Sequence, residues 1–235
     1  MKRTNKHTRL LAVIAAAIHL SLITAGAQVI ADLDDILFWT GTGANRAGLV
    51  IDFNDGETKE SFAWGFRWDG TATGAEMLTA VAAADPNFSI LFGGTVASGF
   101  FMTQASYFDG VFTHVGTSGD FVSNFNYWGY YVVGGTAGGT FAPDVFDPVS
   151  PGAGSAFPGS WLESPSGSSY ASLGSPGRIL ENDSWDGWSF GESPIPEPTL
   201  AYAAIPEPGS FAMVGAALCW FLAAFRRRGK NANAA

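Results

Sequence analysis

Six short apolar runs, rich in aromatic and β-branched residues and bounded by Gly, Asn or Asp, recur along this chain: Ile36 to Thr40, Gly48 to Phe53, Ser61 to Trp68, Phe88 to Phe92, Gly110 to Val115 and Asn124 to Val133. They read as strands. No regular helical segment alternates with them, as a parallel sheet would require, so the pattern predicts a mainly β fold, an antiparallel sandwich or jelly-roll-like arrangement. One segment breaks the rhythm. Thr73-Gly74-Ala75-Glu76 has the spacing of a capping box, with Thr73 as N-cap and Glu76 three residues on, and it leads into Met77 to Asp85 before Pro86. That predicts one short helix near 74–85, packed at an edge or end of the sheets.

From Gly134 to about Ser184 the chain turns rich in Gly, Pro and Ser. Such composition marks loops, but Trp161, Leu162 and Tyr170 are bulky groups that a linker would not carry without docking them, so 134–184 reads as an ordered excursion within the domain. Trp185 to Phe190 then reads as a returning terminal strand. The domain is expected to span 28–191. The Pro-rich run 192–204, which contains Ile195-Pro196-Glu197-Pro198, reads as a semi-rigid stalk because repeated Pro favours extended polyproline II.

Both ends carry export features. Lys2, Arg3, Lys6 and Arg9 form a positive n-region, Leu10 to Ile23 an apolar h-region, and Ala25-Gly26-Ala27 a small-residue cleavage site, so 1–27 reads as a signal peptide. His19 departs from an ideal h-region. At the other end Ile205-Pro206-Glu207-Pro208 runs into Gly209 to Phe225, uncharged and about 25 Å long as a helix, followed by Arg226-Arg227-Arg228. The basic cluster favours the cytoplasmic side and places everything upstream outside. The segment 205–230 resembles the PEP-CTERM sorting signal of Gram-negative bacteria. That resemblance implies a transmembrane helix at 209–225, processing by signal peptidase and by exosortase, and Pro206, Glu207, Pro208 and Arg226 to Arg228 as the sorting residues. It further implies a transient membrane anchor, through the tail alone, before release to the cell surface or exterior. Trp39-Thr40-Gly41-Thr42-Gly43-Ala44-Asn45 and Trp64-Gly65-Phe66-Arg67-Trp68-Asp69-Gly70 are also similar to uncharacterised domains of exported bacterial proteins, from which no activity transfers.

Eight of the 12 basic residues lie in the two ends, leaving Arg46, Lys59, Arg67 and Arg178 against all 21 acidic residues, a net charge of −17 for the exported part. A polyanion of this kind repels nucleic acid and anionic membrane surfaces, and neither is expected as a partner. The lone cysteine, Cys219, sits in the tail helix, so the exported part has no disulfide, thiolate nucleophile or Cys-ligated metal. Its one histidine is His114, which reads as an ordinary strand residue and rules out a two-His zinc site.

Three constellations could still carry chemistry. Trp64, Phe66 and Trp68 lie at i, i+2 and i+4 and share one strand face, either as a sugar-stacking platform built on Trp64 and Trp68 or as core. The core reading is preferred, since the opposite face, Ala63, Gly65 and Arg67, is no better suited to burial. In Asn124 to Val133, Tyr127 and Tyr131 face one side and Trp128 and Tyr130 the other. The run Asp52-Phe53-Asn54-Asp55-Gly56-Glu57 concentrates oxygen ligands as calcium loops do, with Asp52, Asn54 and Asp55 as weak metal candidates. Gly56 falls one place early for an EF-type loop, so a hairpin turn is favoured, and Asn182 to Gly187 is judged the same way. Lastly, a carboxylate pair for glycoside hydrolysis would arise by chance among so many acids, and none is marked out by local motif.

The sequence therefore predicts an exported, tail-sorted β domain of the cell envelope or exopolymer matrix with a structural or binding role, exopolysaccharide being one candidate partner. No cofactor and no catalytic residue is expected; the alternative is a polysaccharide-active hydrolase or lyase using a carboxylate pair.

Overall fold

The computed structural model describes residues 28–95, 99–119, 126–135, 152–163, 178–192 and 194–205. The expected signal peptide with Ala25 and Ala27, the tail from Pro206 onward with its apolar helix and Arg226 to Arg228, and 136–151 and 164–177 of the Gly/Pro/Ser-rich excursion lie outside these residues. Among the described residues no helix is long and apolar enough to cross a membrane.

The elements are β1 (Trp39–Gly41), β2 (Asn45–Asp52), β3 (Ser61–Trp68), α1 (Gly74–Ala84), β4 (Phe88–Thr95), β5 (Gly99–Phe108), β6 (Thr113–Thr117), β7 (Tyr127–Val133), β8 (Leu162–Glu163), β9 (Ser184–Gly191) and β10 (Tyr202–Ala203). A short 3-10 turn at Leu33–Asp35 precedes them. Among the described residues the fold is mainly β, with two sheets and one short helix. That helix starts where its capping box predicts: Thr73 Oγ1 accepts from the Glu76 amide while the Glu76 carboxylate accepts from the Thr73 amide at 2.8 Å. It stops at Asp85, whose carboxylate takes the indole N–H of buried Trp64 at 2.8 Å.

The larger sheet has seven strands in the order β1-β3-β2-β9-β7-β8, with β10 sharing the outer edge of β3 with β1; the smaller is β4-β5-β6. Most pairings are antiparallel, as expected, but not all. β2 pairs antiparallel with β3 but parallel with β9, and both β1 and β10 run parallel to β3. Long connections make this possible: β9 returns beside β2 after more than a hundred residues, so no tight hairpin fixes its direction.

β5 was not expected as a strand, and the reason is a bulge. The register slips between Leu91 and Phe92, so that Leu91 faces Gln104 while Phe92 faces Met102 and Thr103 is left over. The buried residues consequently fall at Met102, then Ala105 and Tyr107, and the period of two is lost from the sequence.

Both faces of the large sheet are covered. On one, Leu49, Ile51, Phe62, Trp64, Phe66, Trp68, Trp128, Tyr130 and Trp188 meet Met77, Leu78 and Val81 of α1 and Phe88, Met102, Ala105 and Tyr107 of the small sheet. Trp64 stacks on Phe88 with centroids 4.8 Å apart, and Phe62 meets Tyr107 at 4.7 Å. On the other face, Val50, Ala63, Tyr131, Val133 and Trp185 lie under non-repetitive chain: Ile30, Leu33 and Ile36 from the start, Trp161 from the excursion, Ala201 and Ala203 from the end. Gly65 belongs to this face, and a Cβ there would stand 2.3 Å from the Trp39 ring, over which the Arg67 guanidinium lies at 4.7 Å.

This second layer overturns the stalk expected at 192–204. From Ile195 the run is part of the domain: Ile195, Ala201, Ala203 and Ala204 are buried, β10 pairs with β3, and Ala203 N donates to Gln28 O at 2.8 Å. Proline still keeps the segment extended, but small apolar residues between the prolines give it a face to bury.

Trp64 is fully buried, and truncating such a ring leaves a void the sheets cannot close. Trp64→Ala is expected to cost about 3–5 kcal/mol in urea unfolding. A variant as stable as the parent would show that the contact with Phe88 does not hold the sheets together.

Candidate functional site

The residues singled out from sequence are distributed by the fold into three places. Trp64 and Trp68 are in the core, 0% and 6% exposed, with Phe66 and Trp68 stacked on each other at 5.6 Å. They offer no platform to a sugar, and the ligand-platform alternative is corrected accordingly. Trp128, Tyr130 and Tyr131 are buried too, because both faces of β7 are covered.

The acidic run Asp52 to Glu57 lies in the β2–β3 connection. Its oxygens are turned to the loop's own donors: Asp52 Oδ1 accepts from Asn54 N at 3.2 Å, Asp55 Oδ1 from Glu57 N at 3.2 Å, and the Glu60 carboxylate from Gly56 N at 2.8 Å. Asn54 and Gly56 take positive φ, 46° and 83°, as residues that close such loops readily do. Among the described residues no group of three or more His, Asp or Glu side chains is arranged to hold a metal ion. In the 182–187 run the acids go to arginines: Asp183 pairs with Arg46 Nε at 2.7 Å, and Asp186 with Arg178.

What the sequence did not reveal is how the Asp55 loop is tied down. Asp55 Oδ2 lies 2.8 Å from His114 Nδ1 of β6, and Asp109 Oδ2 lies 3.9 Å from Nε2 on the other side. His114 is 1% exposed and enclosed by Phe53, Phe62 and Phe112, with ring centroids 4.8 to 5.5 Å away. Burial pushes the Asp109 carboxyl up, but it accepts from the Phe112 and Val111 amides at 2.7 and 2.8 Å, and these bonds help hold it below the usual value. An Asp-His dyad invites a catalytic reading, which requires a nucleophile or substrate proton within reach of Nε2. Here Nε2 is a buried atom without a hydrogen-bond partner, closed off by three phenyl rings. The geometry ties the β2–β3 loop to the small sheet and presents no reacting atom.

A carboxyl able to act as a general acid needs a value near neutral, and Asp52 has one. Burial, followed by the charge of Glu60, pushes it up to about 7. It faces Ser61 on β3 and Ser189 on β9 across the ladder, in a row of small polar groups at the sheet's end.

The third place is the centre of the large sheet. Arg178 and Asp186 are each 1% exposed, with Nη1 3.1 Å from Oδ1. Tyr130 donates to Asp186 Oδ2 at 2.6 Å, and Arg178 Nη2 donates to the carbonyls of Val133 and Gly134 at 3.1 and 2.6 Å and toward Trp185 O at 3.3 Å. Burial pushes the Asp186 carboxyl up while Arg178 and Tyr130 draw it back, and burial and the Asp186 charge push Tyr130 well up. Sequence reasoning had assigned Arg178 no role.

The chain matches no known protein family, no curated protein and no solved structure.

Two outcomes test these assignments. A carboxyl raised in the folded state from about 3.9 to about 7 binds a proton that the unfolded chain has lost, so its contribution to stability is complete below about pH 4 and disappears as pH rises through 7. Asp52→Asn should therefore be more stable than the parent by about 1–3 kcal/mol at pH 8, with the gap closing toward pH 4; a pH-independent difference in thermal unfolding would contradict the raised value of this half-buried carboxyl. At the central pair, Arg178→Ala strands a buried charge and should cost about 3–5 kcal/mol, whereas Arg178→Met combined with Asp186→Leu should cost much less. Equal losses in the two would argue against an ion pair as the source.

Proposed function

We propose that this chain is an exported protein of the cell envelope or exopolymer matrix, sorted by its C-terminal tail and serving through its β domain as a structural or binding component. One observation carries the reading: the folded unit closes at the residue that opens the tail tetrapeptide. The chain divides into two units between Ile205 and Pro206, and Ile205 N is held by the Tyr107 hydroxyl at 3.1 Å. A domain secured up to Ile205 keeps every described core residue when cut after it, as a cleavable sorting tail requires. Its net charge supports the same reading, since a strongly acidic surface suits a soluble life beside polyanionic membranes and polymers.

The binding surface on this reading is not the tryptophan row but the outer face of the small sheet. There Leu91, Phe108 and Val115 are 58, 43 and 48% exposed, and their ladder neighbours include Ser106, Gln104, Thr113 and Thr117. Neighbouring Val111 and Phe112 extend it. Mixed apolar and hydroxyl groups on a flat sheet face suit a polymer or a protein surface better than a small molecule.

Replacing Pro206-Glu207-Pro208 by Ala-Ala-Ala should leave export intact and retain the chain as a membrane-bound precursor, because the apolar stretch behind remains long enough to anchor. Fractionation and intact-mass measurement read the result. Release at the normal size from that variant would remove the sorting reading.

A further inference from the structure

The tetrapeptide Ile-Pro-Glu-Pro occurs twice, at 195–198 and at 205–208. As sequence the two copies are equivalent up to their last residue. In the fold the first copy is gripped at three of its four residues by groups from β7, β9 and the excursion. Ile195 is 6% exposed; its carbonyl accepts from the Tyr131 hydroxyl, and its side chain fills the space over Gly129, where a Cβ would stand 3.2 Å from Ile195 Cδ1. Pro198 is buried over Gly187, where a Cβ would stand 3.0 Å from its Cγ, and its carbonyl accepts the Trp161 indole N–H at 2.8 Å. Glu197 is exposed, yet its Oε2 accepts the Trp161 backbone N–H at 3.1 Å.

An enzyme or receptor that reads an extended peptide needs its backbone carbonyls and alternate side chains. In the first copy those groups already have partners: two carbonyls are bonded, the glutamate is engaged, and the framing Ile195 and Pro198 point into the sheet. Offering this copy would require peeling the segment off, uncovering the Tyr131 and Trp161 rings and loosening Ala201 and Ala203 behind it.

We infer that the domain contains a built-in cradle for Ile-Pro-Glu-Pro, formed by Tyr131, Trp161, Gly129 and Gly187, which sequesters the first copy. The cradle stands on these contacts alone; its biological use rests on the sorting reading above, for which it leaves the copy at 205–208 as the one presented for processing. A Cβ at 129 would press on the Tyr131 ring and Ile195 at 3.0 and 3.2 Å, and one at 187 on Pro198 and the Trp161 ring at 3.0 and 3.1 Å, so glycine gives the closest fit at both positions.

The test is digestion by a prolyl endopeptidase, which cuts after proline in segments that leave the fold. The full chain carrying Pro206-Glu207-Pro208→Ala-Ala-Ala has the first copy alone, and its cleavage after Pro198 is compared by mass with that of a free peptide of sequence 193–202. Cleavage in the chain is expected to be slower by at least about a hundredfold, in line with a segment that opens only by local unfolding. Trp161→Ala should accelerate it by at least about tenfold, and Tyr131→Phe, which removes one hydroxyl and no volume, by less. Urea unfolding of each variant reports global stability; acceleration after Pro198 must exceed what the loss of global stability accounts for, and if Trp161→Ala unfolds outright the Tyr131→Phe comparison decides. Cutting after Pro198 at the free peptide's rate, or no selective acceleration in either variant, would overturn the cradle. Since no sorting protease takes part, the outcome is independent of whether the tail is processed in cells.

Discussion

The buried pair of Arg178 and Asp186 is the constraint around which the rest is arranged. Desolvating two charges costs more than their attraction returns unless every remaining donor and lone pair is met. Here Tyr130 takes one carboxylate oxygen and three carbonyls converge on Arg178 Nη2, while Nη1 and Asp186 Oδ1 have only each other at 3.1 Å and Arg178 Nε has no hydrogen-bond partner. Those partners sit on β7, on the turn after it and on β9, so the pair fixes how the late strand β9 docks between β2 and β7. The start of α1 is drawn in as well, with Gly74 N donating to Arg178 O at 3.0 Å. An apolar trio of similar shape would bind no less tightly, but it would not specify this register, which no hairpin defines for β9.

Once β9 is fixed, the central sheet has to be covered on both faces. The small sheet and α1 cover one with aromatic rings. Irregular chain covers the other, and this explains why Pro-rich and Gly-rich segments that look like linkers carry Trp161, Ile195 and alternating alanines. The two polar ties at the sheet's end, His114 with its carboxylates and the row around Asp52, fasten the β2–β3 loop to these layers. At His114, Nε2 is closed off by phenyl rings, and half-buried Asp52 gives one oxygen to the Asn54 amide.

The functional reading and the fold meet at residues 195–205. The domain uses one Ile-Pro-Glu-Pro copy as a piece of its own second layer and ends at the first residue of the other. The first copy owes its place in the second layer to Tyr131 and Trp161, which bond its carbonyls and glutamate.

The sequence by itself determined the elements whose signals are local. Alternating aromatic runs gave β3 and most of β2, β4 and β7, the capping box of Thr73 and Glu76 placed α1, and the missing cysteines and histidines removed whole classes of chemistry. Tertiary structure decided everything that depends on what a strand lies next to. The parallel direction of β9 comes from a partner far away in the chain, the bulge at Thr103 erased the periodicity of β5, and the burial of Trp64 and Trp68 depends on the small sheet arriving over them. Arg178, His114 and Trp161 carry no local motif at all. Asp186 and Trp185 follow Arg178 closely along the chain, but His114 and Trp161 are placed by partners 59 and 36 residues away and the Val133 carbonyl on Arg178 lies 45 away, separations that local pattern does not reach.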